Sequence, residues 1–337
     1  MIGIPAAESE CTQPVLLGSP VFFETGPNPH YMASEDFNGD GIADLAVTNG
    51  DISPGSNNSS LAVLLGLGSR SYASPVLYLV GRGARSVVAR DFNKDGITDL
   101  AVSNLHSDEI SVLLGQGTVG IGNGTFAPSV NYPAGPGPFE LVADDFNGDG
   151  ILDLATCLNR TAAVLVFPGL GSGGIGNGSF GGAVSFPLSH LSTGLARGDF
   201  NGDGHPDLVA TQNYGSSIAV LLGTGQVSLG PGSFGPAAYH AAGAEPYHVE
   251  VADFDEDGRQ DLAVANGSTG GIKVLLGLGD GSFLLSASLA SGNSSGAAAV
   301  DLNQDGILDI VTGTITGYNV GVAEVFLGQG TGGVGSG

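Results

Sequence analysis

The chain has 337 residues and a formal charge of −24, from 33 Asp+Glu against 9 Lys+Arg, which excludes recognition of nucleic acid or of an anionic membrane surface because both need a basic footprint. Disorder, the other common meaning of such acidity, is excluded by a hydrophobic share of 42% that is enough for a packed core. The 59 glycines and 17 prolines point to a turn-dense all-β protein rather than a helical one.

Residues 1–18 read as a leader or as the remnant of a preceding repeat, since VLLG at 15–18 resembles the end of a strand found again further on. The leader has neither the basic start nor the apolar run of a signal peptide. No stretch approaches the roughly 18 apolar residues of a membrane span, so membrane insertion is not expected. Cys11 and Cys157 give no disulfide framework and are expected to be free thiols. Residues 19–337 are expected to form one domain.

That domain is internally repeated. DFNGDGIADLAV begins at Asp36, and variants of the same twelve residues begin at Asp91, Asp145, Asp199, Asp253 and Asp301, at intervals of 55, 54, 54, 54 and 48. Between the acidic segments run short apolar stretches rich in Val, Leu, Ile and Ala, bounded by Gly, Asn, Asp or Pro. The third unit shows four of them: FELVADDF, LDLATC, AAVLVFPG and an outer strand of the FxPxxxY kind. Near-continuous apolar runs such as LAVLLGLG from Leu61 imply sheets covered on both faces. Four-stranded antiparallel sheets of about 50 residues that cover one another describe the blades of a β-propeller. Six are expected. The sixth lacks its outer strand at the C-terminal end while VFFETG at 21–26 aligns with VNYPAG at 130–135, so an N-terminal strand is expected to close the ring. The alternative is an incomplete seven-bladed propeller, because GQGTGGVGSG at the end copies GQGTVGIGNG before Phe126, where the chain continues.

The acidic segments carry the chemistry. Position 1 is Asp36, Asp91, Asp145, Asp199, Asp253 or Asp301; position 3 is Asn38, Asn93, Asn147, Asn201, Asp255 or Asn303. Position 5 is Asp40, Asp95, Asp149, Asp203, Asp257 or Asp305, and position 9 is Asp44, Asp99, Asp153, Asp207, Asp261 or Asp309. A backbone carbonyl at position 7, from Ile42, Ile97, Ile151, His205, Arg259 or Ile307, completes an all-oxygen set, and glycine at position 6 permits the sharp turn. Oxygen donors with several carboxylates select Ca2+ over zinc or copper, and over magnesium with its stricter octahedron. Up to six Ca2+ ions are expected. An EF-hand is excluded, since position 12 is not Glu and strands flank the loop. The Asp residues of the loops are 19 of the 33 acids, so most of the charge is ligand charge. Lys94, at position 4, should point away from the metal.

These units resemble the FG-GAP or VCBS repeat, the calcium-loop blade of integrin alpha-subunit propellers and of many bacterial extracellular proteins. The DFNGDGxxDLAV, VLLGxGxGSF and FxxxxxY elements carry the resemblance from about residue 20 to 329. It implies a propeller with calcium loops between first and second strands on one face and partner binding on the other; it implies no activity.

Phe37, Phe92, Phe146, Phe200 and Phe254, at position 2 with Leu302 as the sixth, are expected to be core wedges, as are Phe126, Phe180, Phe234 and Phe283. The six histidines form no recurring constellation for catalysis. The expected function is a non-catalytic, calcium-stabilised scaffold for binding or adhesion, extracellular or on the cell surface, acting as a monomeric domain on a protein or glycan. A lectin-like propeller is disfavoured by the absence of tryptophan. A polysaccharide lyase-like propeller is disfavoured by the scarcity of clustered basic residues, Arg82, Arg85 and Arg90 being the sole arginine group. The partner is expected on the rim opposite the acidic loops, where the connections vary most. Asp51, Asn57, His106, Asp108, Tyr214, Tyr318 and His248 are the candidates there.

Overall fold

The computed structural model describes residues 21–50, 59–225, 234–267, 270–289, 292–316, 320–331 and 334–335. Cys11, Asp51, Asn57 and Tyr318 lie outside the described residues. Within them there is no helix, and the main strands form six antiparallel sheets, the blades of a propeller. The third blade shows the plan: Pro138–Asp144 innermost, then Asp153–Leu158, Ala163–Phe167 and Val184–Pro187, each hydrogen-bonded to the next.

Burial explains why the middle strands are apolar throughout rather than alternating. Leu100, Ala101 and Val102 of the second blade are all at 0% exposure, because neighbouring blades cover both faces of the sheet. The cores lie between blades. One cluster joins Leu100 and Leu113 to Leu61 and Val63 of the first blade; the next joins Ile110 and Phe92 to Leu154 and Phe167 of the third. Similar clusters join third to fourth, fourth to fifth and fifth to sixth.

Aromatic rings pin these interfaces in a repeated way. Phe126, after the third strand of the second blade, meets both Phe37 and Tyr78 of the first blade edge-on, at 5.5 and 5.6 Å. Phe180 meets Phe92 and Tyr132 in the same manner, Phe234 meets Phe146 and Phe186, and Phe283 meets Phe200 and His240. Both sets of wedge phenylalanines therefore pack as expected, each pair contributing about 0.5–1.5 kcal/mol beyond its buried area.

The sixth sheet has three strands among the described residues, Asn293–Val300, Asp309–Thr316 and Val320–Phe326. The closing strand expected at residues 21–26 is not formed. That segment lies instead against the first blade, where Phe23 packs edge-on to Tyr72 at 5.1 Å and Asn49 Nδ2 donates to Thr25 O at 2.7 Å. The Phe23–Tyr72 pair repeats the Tyr78–Phe126 relation, an outer-strand ring against the next blade's hairpin ring, without the strand pairing that Tyr78 also makes in its own sheet.

Candidate metal centres and a buried polar cluster

Each acidic loop joins the first and second strands of its blade, so all six open on one rim. Position 1 anchors the turn. Asp145 Oδ1 accepts from Asp149 N at 3.0 Å and Oδ2 accepts from Gly150 N at 2.7 Å; Asn147 Oδ1 and Asp149 Oδ1 accept from the nitrogens of Asp149 and Ile151. Gly150 has φ 83°, and its counterparts Gly41, Gly96, Gly204, Gly258 and Gly306 lie between 80° and 86°, the left-handed region that a side chain would strain.

Position 9 has a second role. Asp153, at 0% exposure, accepts from Phe146 N through Oδ2 at 3.0 Å and from Gly169 N through Oδ1 at 2.8 Å, clamping the loop to the end of the third strand. The same pair of bonds recurs at Asp44, Asp99, Asp207, Asp261 and Asp309. The glycine ending each VLLG-type strand is required by this approach: a Cβ on Gly169 would sit 2.3 Å from Leu152 O.

The donor sets fit a hard cation. In the fifth loop, carboxylate oxygens of Asp253, Asp255 and Asp261 lie within 4.8 Å of one another. Burial pushes Asp153 up to about 7, against the hydrogen bond from Gly169 and with Asp149 and Asp145 adding to the rise. Burial likewise raises Asp99 and Asp207 to about 6, and it lifts Asp44 and Asp261. Acids forced up in this way while fully hydrogen-bonded are the ones a bound cation relieves. Position 1 behaves oppositely: the Gly41 amide leads the bonds that lower Asp36. Two loops depart from the pattern. Arg259 turns its guanidinium onto Asp257 of its own loop, and Lys94 turns away from its loop so that Nζ donates to Gly150 O of the third blade at 2.7 Å.

Among the other candidates, Tyr214 stands 76% exposed on the rim opposite the acidic loops. Asp108 is committed to structure, since Oδ1 accepts from Gly137 N at 2.9 Å and pairs with Arg160 at 3.4 Å. Burial lowers the pKa of His106, with Arg160 and Arg82 adding. His248 is not a surface residue: it lies in the innermost strand of the fifth blade, with its side chain only 14% exposed and Nε2 3.4 Å from Glu140 Oε1.

His248 belongs to a cluster that no motif announces. Arg85 lies with its guanidinium carbon 4.4 Å from the Phe139 ring centroid, and its Nη2 donates to Tyr247 Oη at 3.1 Å while Nη1 reaches the His30 ring at 2.9 Å. Glu140 Oε2 accepts from Leu195 N at 3.0 Å. Burial, together with Glu140 and Tyr247, raises Tyr31, and burial with Glu140 pushes the Cys157 thiol up to about 12, so this free cysteine is inert. The innermost strands of the first, second, third and fifth blades thus meet through side chains, whereas Arg90, of the same sequence group as Arg85, donates to Ala89 O at the acidic end of its strand.

The FG-GAP-like repeat description matches residues 36–102, 91–156, 199–264 and 253–312, so each acidic loop falls within at least one match. No curated protein sequence matches the chain. Among solved structures, a protein from Lactobacillus plantarum superposes with a TM-score of 0.63 at 15% identity, over 94% of this chain and 85% of its own. A functionally unknown protein from Desulfotomaculum acetoxidans gives 0.58 at 12%, over 89% and 83%, and the periplasmic gluconolactonase of Pseudomonas aeruginosa gives 0.52 at 19%, over 74% and 68%. At these identities the likeness is one of fold. With the repeat matched over most of its length and six blades built on it, the chain belongs to the FG-GAP-like repeat family.

Proposed function

We propose that the protein is a non-catalytic, calcium-stabilised binding scaffold that works outside the cell or at its surface. The observation that carries this reading is the fully buried position 9 carboxylate in all six loops, each tied by two backbone amides and followed or preceded by further acids of the same loop. Six such centres, one at each junction of first and second strands, make the cation a part of the fold rather than of a reaction. Sites of this kind saturate in millimolar calcium, which favours an extracellular setting. If they bind at roughly 10–100 μM, each adds about 1.4–2.7 kcal/mol by mass action in that medium.

The partner, a protein or a glycan, is assigned to the rim opposite the loops, where Tyr214 and His106 are supported by rigid strands. Chelation is the test. Excess chelator is expected to lower the Tm by many degrees and calcium to restore it; an unchanged melt ends the proposal. Tyr214→Ala and His106→Ala should weaken capture of a partner found by glycan or protein array while leaving the calcium-dependent melt intact.

A further inference from the structure

Three of the chain's 9 Lys and Arg residues converge on the rim opposite the acidic loops. Arg85 lies at the start of the innermost strand of the second blade, Arg82 just precedes that strand, and Arg160 lies between the second and third strands of the third blade. All three bear on the exposed His106, whose pKa is lowered by burial and further by Arg160, Arg82 and Arg85, with Asp108 opposing them and outweighed. Burial, and after it Arg85, lowers the exposed His30 as well. On a chain with a formal charge of −24, the surroundings of this one guanidinium are a place where the local field is positive.

The guanidinium of Arg85 is poorly matched by its own protein. Nη2 donates to Tyr247 Oη of the fifth blade at 3.1 Å. Nη1 lies 2.9 Å from Nδ1 and 3.1 Å from Nε2 of His30, centred on the ring and in line with neither lone pair. Nε is buried without a hydrogen-bond partner among the described residues. Nor does any described carboxylate lie within ion-pair distance of Arg85 or Arg82, whereas Arg160, Arg197 and Arg259 each have one. Glu140, the acid of the same cluster, is taken up by His248 and by the Leu195 amide. A full charge with a fork of donors is thus left with the Tyr247 oxygen and the face of Phe139 as its sound partners.

We propose that this end of the ring is a carboxylate-binding site whose ligand is a uronic acid residue of a glycan, held on the Nη edge of Arg85 between His30 and Tyr247. A planar carboxylate meets such a fork with two parallel hydrogen bonds. Tyr247 Oη accepts from Arg85 and so keeps its own proton to donate to a sugar hydroxyl. A phenol and a neutral imidazole beside the guanidinium suit a hydroxylated acid, whereas an acidic peptide side chain would use the arginine alone. Arg82 and Arg160, further out on the rim, steer the anion inward. The inference rests on the binding-scaffold reading and gives its partner a chemistry. The two fail separately, since an unchanged melt in chelator ends the calcium reading whatever the sugar does.

The test uses the whole chain in calcium-containing buffer near neutral pH, titrated with galacturonate, with its methyl ester and with N-acetylglutamate, and followed by NMR shifts. Saturable binding of galacturonate is expected, weakening as salt is raised. The ester keeps the sugar and loses the charge, and should bind at least about tenfold more weakly. Arg85→Lys keeps the charge and loses the fork, and should weaken galacturonate by a similar factor. Arg82→Gln, at an exposed position where folding is undemanding, should weaken it about two- to threefold and reduce the dependence on salt. The titration of the His30 ring should move to higher pH when galacturonate is bound, because the carboxylate offsets Arg85. No saturable binding, equal binding of the ester, tighter binding of N-acetylglutamate than of galacturonate, or full binding by both variants, which would place the sugar on the acidic loops, overturns the proposal.

Discussion

His248 Nε2 lies 3.4 Å from Glu140 Oε1, an ion pair that reaches past the fourth blade to join the innermost strands of the fifth and third. Burial opposes charge on His248, but Glu140, aided by Glu250, outweighs it and raises the histidine above its ordinary value. Arg85, bonded to Tyr247, and Tyr31 are the other ionisable neighbours of this cluster. A histidine whose folded pKa is raised adds stability that is fully present below the unfolded value of about 6.5 and is lost as pH rises through the folded value. With calcium saturating, the Tm should therefore decline as pH is raised from about 6.5 into the alkaline range. His248→Gln, which keeps a hydrogen-bonding group but cannot titrate, should flatten that slope; thermal melts across the range decide it, and an unaltered slope assigns the decline elsewhere.

Two acids of the same loop should respond differently to amidation. Both oxygens of Asp153 accept backbone N–H groups, so Asp153→Asn turns an NH2 onto one of these donors and leaves a buried amide unpaired. A loss of about 2–3 kcal/mol is expected in chelator, and a larger one in calcium, where a ligand is weakened as well. Asp149 keeps its bond from Ile151 N after Asp149→Asn, since the amide oxygen can take it. That variant should lose stability only when calcium is present. Denaturant melts of both proteins in both buffers give the comparison, and matching responses would mean that the two positions do one job.

The acidic loops and wedge phenylalanines are legible because one residue type recurs at one place in every repeat: Asp153 or Phe146 can be read six or five times over. The buried cluster is illegible for the opposite reason. The residues six and five places before the first five loops are His30-Tyr31, Arg85-Ser86, Phe139-Glu140, Thr193-Gly194 and Tyr247-His248, a different pair each time, and only the arrangement of blades brings them together. That variation inside an otherwise apolar strand is itself the available signal. The closing strand is legible only in part: residues 21–26 align with an outer strand and Phe23 makes the outer-strand ring contact with Tyr72, but the segment forms no ladder with the sixth sheet, and a sequence alignment does not specify backbone pairing.

Glycine at the end of the third strand should be intolerant of even one methyl group. A Cβ on Gly115 would lie 2.3 Å from Thr98 O and 2.6 Å from Ile97 Cγ2, while the Gly115 amide must still reach Asp99 Oδ1 at 2.7 Å. Backbone cannot yield here without breaking the clamp. Gly115→Ala is expected to cost about 2 kcal/mol or more, most of it from the lost hydrogen bond and the displaced strand. A melt within about 0.5 kcal/mol of the parent would show that the approach is less tight than the geometry requires.

One substitution should stabilise the ring. Position 4 of the loops adopts a left-handed backbone in every repeat: Gly39, Gly148 and Gly202 have φ of 72–73°, yet Glu256 is held at 59° and Gln304 at 61°. A non-glycine residue there costs about 1–2 kcal/mol, and glycine returns part of that gain, about 0.5–1 kcal/mol, through its freer unfolded chain. Glu256 also stands among Asp253, Asp255 and Asp257, and its removal takes away one like charge that touches no backbone donor of the turn. Glu256→Gly should therefore raise stability by about 0.5–1 kcal/mol, more in chelator than in calcium, because the bound cation already screens the acids. Gln304→Gly isolates the backbone effect, having no charge to lose, and should show the same gain in both buffers. If Glu256→Gly gains nothing in chelator while Gln304→Gly does, repulsion within the fifth loop is negligible and the side chain of Glu256 holds a stabilising contact of its own.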